Sequence, residues 1–227
     1  MGATPQEVQY IDHMGGDLSV VRAAKVSFSD DQDLLKLLMD VDVEGTGGRS
    51  HEALIRYLAT HNHWTPFAHT AITLRMKAPI PMRTQCFKHK QGFVENEESR
   101  RYIKTAPEYY VPVWRLTTEF KKQGSGMEMT SYRQATEDHA YIDHMDYCIN
   151  RYEAALERGV CEEQARFYLP QGCVVNWYWT GSLAAFARFV KQRTDPHAQG
   201  EVQELARMVS DIIKPLYPVC WEALTGE

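Results

Sequence analysis

Hydrophobic residues recur along the 227-residue chain in two rhythms. From Thr70 to Lys77 the period is two: Ile72, Leu74 and Met76 alternate with Thr73, Arg75 and Lys77, the pattern of a half-buried strand. Residues 174–180, aromatic and β-branched, predict a second strand. Elsewhere the period lengthens to that of a helix. Asp17 is placed to cap a helix over residues 18–25, with Leu18, Val21 and Ala24 on one face, and Ser50 to cap another reaching residue 61. The apolar positions of that second helix are Ala53, Leu54, Tyr57 and Leu58. Pro79 and Pro81 end the first strand, and proline suits the first turn of a helix over residues 82–90, which Gly92 stops.

Residues 91–112 read as loop and short extended pieces, and Gly124-Ser125-Gly126 as a turn. A long helix is predicted over residues 128–158 with Gly159 at its C′ position, then a short one over 162–169 stopped by Pro170. Leu183, Phe186, Phe189 and Val190 mark a helix ending near Arg193, and Val202, Leu205, Val209 and Ile212 the stripe of a last long helix. Helices outnumber strands without strict alternation. The expected fold is therefore α+β, one domain over residues 1–227, with a small, mainly antiparallel sheet covered by helices and a long-helix subdomain.

Composition narrows the function. The formal net charge is −5 and the pI about 6.0, which argues against binding of polymeric nucleic acid, although a local basic cluster can still hold a small phosphate ligand. Five cysteines without a Cys-x-x-Cys pair read as reduced thiols of a cytoplasmic protein. No signal peptide and no membrane-spanning run are evident in the sequence.

The segment richest in chemistry runs from Lys88 to Tyr102, Lys-His-Lys-Gln-Gly-Phe-Val-Glu-Asn-Glu-Glu-Ser-Arg-Arg-Tyr. Gln85, four residues before His89, shares its face on a helix. Cations, a hydroxyl, backbone donors and the Glu97 acceptor in one stretch suit a phosphate joined to a hydrogen-bonding ring. By itself the segment reads more readily as a solvated surface loop with ion pairs.

This segment resembles the signature of flavin-dependent thymidylate synthases, in which Arg-His-Arg precedes a serine followed by Arg-Tyr. Asn96-Glu97-x-Ser99-x-Arg101-Tyr102 is intact, whereas Lys88 and Lys90 replace the usual arginines and eight rather than seven residues separate Lys90 from Ser99. The extra residue is expected to bulge between Gln91 and Glu95. Lysine keeps the charge and loses the planar fork. Further blocks follow the same family in order: Asp17-Leu18-Ser19 with residues 22–28, His61-x-His63-x-Thr65-Pro66-Phe67-x-His69, Lys77-Ala78-Pro79-Ile80, Gly159-Val160 with Ala165-Arg166 and Leu169-Pro170, and Arg193-x-Asp195-x-His197-Ala198-Gln199 with Glu201.

The resemblance implies a homotetramer whose active sites draw on several subunits. It implies methylation of dUMP to dTMP, with methylenetetrahydrofolate as carbon donor and FAD, reduced by NADPH, as hydride source. Arg193 then binds the uracil edge, favours ionisation at N3 and makes C5 more nucleophilic, so that no enzyme nucleophile is required. Gln85, Glu97, Glu98, Ser99, Arg100, Arg101 and Arg166 fall on the dUMP-binding positions, with backbone groups acting at 98 and 100 and Arg166 at the phosphate. Ser27, Thr65, Lys88, His89, Lys90, Glu97 and Arg188 fall on those for FAD, with Ser182 to Ala184 in the same segment as Arg188. His63 falls on the folate and flavin path.

Other features read more simply. His61 with His63, and the Asp-His groups of residues 138–146, lack metal-ligand spacing. Cys220 beside Trp221 reads as a small buried thiol. Two alternatives stand beside the main reading. One is a related enzyme hydroxymethylating or alkylating another deoxypyrimidine monophosphate. The other is a non-catalytic nucleotide- or RNA-binding module using Lys88, Lys90, Arg100 and Arg101.

Overall fold

A strand that alternates apolar and polar side chains must put one face against other apolar groups, and the centre of this fold is such a strand. In the computed structural model, which describes residues 3–26, 47–103, 105–118 and 124–226 (47–50 as backbone alone), β2 spans Ala71–Pro79. Ile72, Leu74, Met76 and Ala78 are buried on one face. β1 (Glu7–Met14) and β4 (Val174–Gly181) pair with it on either side, and β3 (Phe93–Glu97) pairs with β4. The four-stranded order is β1-β2-β4-β3, antiparallel throughout. The expected α+β class and small antiparallel sheet are therefore observed.

Eight α-helices complete the described residues: α1 (Asp17–Lys25), α2 (Gly47–Thr60), α3 (Ile80–Phe87), α4 (Ser131–Glu157), α5 (Glu162–Ala165), α6 (Leu183–Arg193), α7 (Gly200–Ile213) and α8 (Pro218–Thr225). Side chains from α1, α2, α3, α6, α7 and α8 join the inward faces of β2, β3 and β4 in one core that includes Trp177, Trp179, Phe186, Phe189, Leu205, Val209 and Trp221. α4 packs instead into two smaller clusters, one around Met145 and Ile149 with Tyr109 and Cys173, the other around Tyr152 and Ala155 with Ala165. The opposite sheet face carries Thr73, Arg75 and Lys77 on β2 and the half-exposed Tyr178 on β4.

Several sequence expectations shift for identifiable reasons. β1 has no apolar alternation, because an edge strand with little buried surface is specified by its backbone ladder to β2 rather than by side chains. The α1 stripe is rotated, with Val20 and Val21 buried and Leu18 41% exposed. In α2, Ile55 and Leu58 face inward while Tyr57 is 53% exposed; the helix begins at Gly47, so Ser50 lies within it rather than at its cap. α3 starts and stops earlier than expected, and α7 buries Ile213 in place of Ile212. Gly159 follows α4 with φ of 82°, as a C′ glycine should.

Asp17 does cap a helix, but not its own. Its two carboxylate oxygens accept from the backbone N–H groups of Val219 and Cys220, both at 2.9 Å, in the first turn of α8. The bond ties positions 202 residues apart and satisfies donors that the helix itself leaves unpaired. Replacing Asp17 by Ala is expected to lower stability by about 1–2 kcal/mol, read as a lower midpoint in urea denaturation with an unchanged slope.

Candidate active site

The site grows from the C-terminal end of α6. Ser182 accepts from the Ala185 N–H as the N-cap of α6, and Phe186, Phe189 and Val190 seat the helix in the core, so its last residue, Arg193, is carried to a fixed place. There its Nε–H donates to His89 Nε2 at 2.9 Å and its NH1 to Gln85 Oε1 at 3.4 Å. Gln85 in turn donates from Nε2 to Gln199 Oε1 at 2.8 Å. The shared face predicted for Gln85 and His89 is realised, although α3 ends before His89. Gln85, Arg193, Asp195, His197 and Gln199 line one polar cavity. Asp195 is occupied by His197, whose N–H and ring nitrogen bind it and hold its carboxyl below the usual range. Among the described residues Arg193 therefore has no carboxylate partner, and its charge is directed at the cavity rather than neutralised.

His89 is buried and pressed edge-on against Phe189, ring centroids 5.1 Å apart. Burial, together with the charges of Arg193 and Arg188, lowers its pKa to about 4. It is a neutral acceptor at neutral pH.

A second cavity, of about 300 Å³, collects Arg83, Glu97, Glu98, Ser99, Arg100 and Arg166 beside Asn176. Arg83 Nε lies 3.0 Å from Glu97 Oε2, but the N–H is not aimed at that oxygen, so the contact is electrostatic. Burial pushes the Glu97 carboxyl up against the pull of Arg83. Arg100 donates to the Thr105 carbonyl, and Arg166, the first residue of a 3-10 turn after α5, donates from Nε to the Glu163 carbonyl at 3.2 Å. Each keeps further N–H groups for a ligand. Three guanidinium groups and a hydroxyl around one cavity suit an anion such as a phosphate.

A third cavity runs past Trp64, Gln91, Gly92, Phe93, Gly181, Ser182 and Arg188. At Gly92, with φ of 80°, a Cβ would meet Ala185 Cβ at 3.0 Å, so the chain turns there with no side chain to fill the space. Lys88 and Lys90 stand exposed on the adjoining turn, Lys90 paired with Glu95 and 5.4 Å from the Phe87 ring. An aromatic wall with an arginine and flanking lysines fits a planar ring system bearing phosphates. His63 and Thr65 line a neighbouring cavity with Trp64, Tyr57 and His69.

The expected residues thus fall into separate groups within one chain. Gln85 and Arg193 share one cavity, Glu97 to Arg100 and Arg166 another, Arg188 a third, and His63 with Thr65 a fourth. Arg101 lines none of these and pairs with Glu163 at 3.2 Å on the surface. Ser27 lies outside the described residues. Thr65-Pro66 begins a single 3-10 turn, Pro66–Ala68, rather than a helix, so little dipole is available there. The β3–β4 ladder is regular from Phe93 to Glu97, so no bulge occurs within the strand. Cys220 is fully buried, and burial followed by the neighbouring Asp17 pushes its thiol far above the ordinary range, so it is no nucleophile. Among the described residues no group of three or more His, Cys, Asp or Glu is placed to hold a metal, and no helix is long and apolar enough to cross a membrane.

Arg83 and Gln199 were not foreseen as site residues. Gln199 stood in a matching block, a usable signal. Arg83 is brought to Glu97 by tertiary contact alone.

This arrangement is an α+β fold in which fixed cations face polar cavities. Residues 9–219 match the family model described as thymidylate synthase complementing protein, and the chain belongs to that family. Flavin-dependent thymidylate synthases of Thermus thermophilus and Thermotoga neapolitana are similar to it, at 34% and 33% identity over 95% of this chain, covering 74% and 89% of their own lengths. A crystal structure of the UMP/dUMP methylase PolB from Streptomyces cacaoi bound with 5-Br dUMP superposes with a TM-score of 0.85 at 26% identity, covering 99% of this chain and 96% of that one. The same protein bound with 5-Br UMP gives 0.83 over 98% and 95%.

The depressed pKa of His89 has a consequence for stability. The unfolded chain takes up a proton at this histidine below about 6.5, the folded one below about 4. Stability contributed by the neutral form is thus complete above the upper value and is lost as pH falls through this window. Urea denaturation between pH 7 and 4 is expected to show this loss, and His89→Gln to flatten that part of the profile.

Proposed function

We propose that Arg193 is the residue that binds and polarises the pyrimidine of dUMP in this chain, which methylates dUMP to dTMP. When bound, FAD reduced by NADPH supplies the hydride, and methylenetetrahydrofolate is the carbon donor. The observation that carries the assignment is the guanidinium fixed by His89 and Gln85 at an open polar cavity, with no carboxylate among the described residues to neutralise it. A cation held in that way stabilises negative charge on the ring carbonyls and N3, raising electron density at C5 without an enzyme nucleophile. Gln85 orients the ring edge. The Glu98 N–H is already given to the Asn176 carbonyl at 2.9 Å, so Ser99, the backbone N–H of Arg100, and Arg166 hold the phosphate, while Lys88, Lys90, Glu97, Arg188 and Thr65 hold FAD, with His63 at the folate approach.

In one chain these groups line different cavities, a division that fits a site shared between copies. We therefore read the enzyme as a homotetramer that completes each site across subunits, with the open sheet face available for self-association. The free state of all five cysteines is compatible with a cytoplasmic setting. Membership of the enzyme family sets aside the non-catalytic RNA-binding alternative. The solved neighbour named for both UMP and dUMP keeps a second nucleotide substrate as a specific alternative.

Purified protein reconstituted with FAD is expected to be yellow and to release tritium from 5-tritiated dUMP with NADPH and methylenetetrahydrofolate. Arg193→Ala should reduce that release about 10²–10³-fold with flavin retained; unchanged release would remove Arg193 from the mechanism, and mass analysis of the nucleotide product separates methylation from hydroxymethylation. The pair Lys88→Arg, Lys90→Arg should bind FAD equally or more tightly, measured by flavin titration, and clearly weaker binding would show that the lysines serve another purpose.

A further inference from the structure

An arginine that recognises a ring edge must be aimed, because its several rotatable bonds otherwise let the charge sweep through solvent. The Nε–H of Arg193 is spent on His89 and one NH1 hydrogen on Gln85. That leaves NH2 and the second NH1 hydrogen as the outer donors for the cavity, a set that suits a carbonyl oxygen and an adjacent ring nitrogen. Gln85 is itself tied to Gln199, whose turn is clamped from behind: Glu201 takes Arg115 on both carboxylate oxygens at 2.6 and 2.7 Å, and Gln6 donates to the Glu201 carbonyl. The other side of the frame is His89. Its ring is buried against Phe189, and its backbone N–H is held by the Cys86 carbonyl at 3.0 Å. Because Nε2 accepts from Arg193, the ring proton sits on Nδ1.

We infer that His89 is a positioning residue for Arg193, its Nε2 lone pair turning the guanidinium so that the outer N–H groups face the pyrimidine. This goes beyond the contact with FAD that the family motif implies for His89, and it rests on the reading that Arg193 binds dUMP. The Nδ1 edge stays available to a flavin, so the two roles use different atoms. The charged groups facing the ring are Arg193 and Arg188, both cations, which disfavour an imidazolium that could not accept.

The test uses FAD-loaded enzyme and the tritium-release assay, with flavin occupancy measured by absorbance. His89→Leu removes the acceptor, and His89→Gln places an amide oxygen near the position of Nε2. At equal flavin occupancy His89→Leu should lose about ten- to a hundredfold in kcat/KM for dUMP, and His89→Gln should recover most of that loss. In the Arg193→Ala background His89→Leu should add no further loss, since the interaction it would break is already gone. Wild-type kcat/KM in His89→Leu overturns the inference, as does a glutamine variant no better than the leucine one. Activity lost only in proportion to flavin makes His89 a flavin residue and overturns it as well. These outcomes are distinct from failure of the underlying reading, which would appear as an Arg193→Ala enzyme that keeps wild-type dTMP formation.

Discussion

Aromatic packing around Trp179 holds the parts of this molecule that matter chemically. Phe93 of β3 stacks on the Trp179 ring at 4.2 Å, and Phe186 and Phe189 of α6 meet that ring edge-on at 5.3 and 4.8 Å. Phe189 in turn receives the edge of His89. One buried cluster therefore fixes the sheet, the helix that ends in Arg193 and the turn that carries His89. Large rings bury much apolar surface with few torsions, so they convert hydrophobic stabilisation into positional accuracy at modest entropic cost. Polar groups several ångströms from the core can then keep hydrogen-bond distances without being buried themselves.

A division of labour follows. The core determines where Arg193, Gln85 and His89 stand, and hydrogen bonds among them determine how the guanidinium is turned. Keeping His89 neutral is part of the same arrangement: two nearby arginines and a dry environment both oppose its protonation, and only the neutral ring accepts from Nε. Among the described residues the Arg193 charge is left without a carboxylate, a costly choice for stability that is common where a ligand supplies the counter-charge.

Further basic residues of the candidate site are distributed over a second cavity. Arg83, Arg100, Arg166 and Ser99 surround a cavity built on β3, β4 and the turn after α5, while Arg193 faces a different one beyond α3. A nucleotide needs both a phosphate site and a ring site. The homotetramer proposed above would satisfy this, and among the described residues no helix covers the sheet face that carries Arg75, Lys77 and the half-exposed Tyr178.

Much of this was legible in the residues themselves. The alternation of Ile72, Leu74 and Met76 determined β2, the spacing of Leu183, Phe186, Phe189 and Val190 determined α6 and its end near Arg193, and the ordered motifs determined the family, because local periodicity and covalent order survive without tertiary context. Tertiary structure decided the rest. Whether β1 exists depended on a partner ladder, since its own side chains carry no inward face. Asp17 went to α8 rather than α1 because a carboxylate bonds whichever unpaired N–H groups the fold brings near. The grouping of Arg83 with Glu97, and of Gln199 with Gln85 and Arg193, came from contacts more than ten residues apart along the chain, distances over which sequence spacing holds no geometric information.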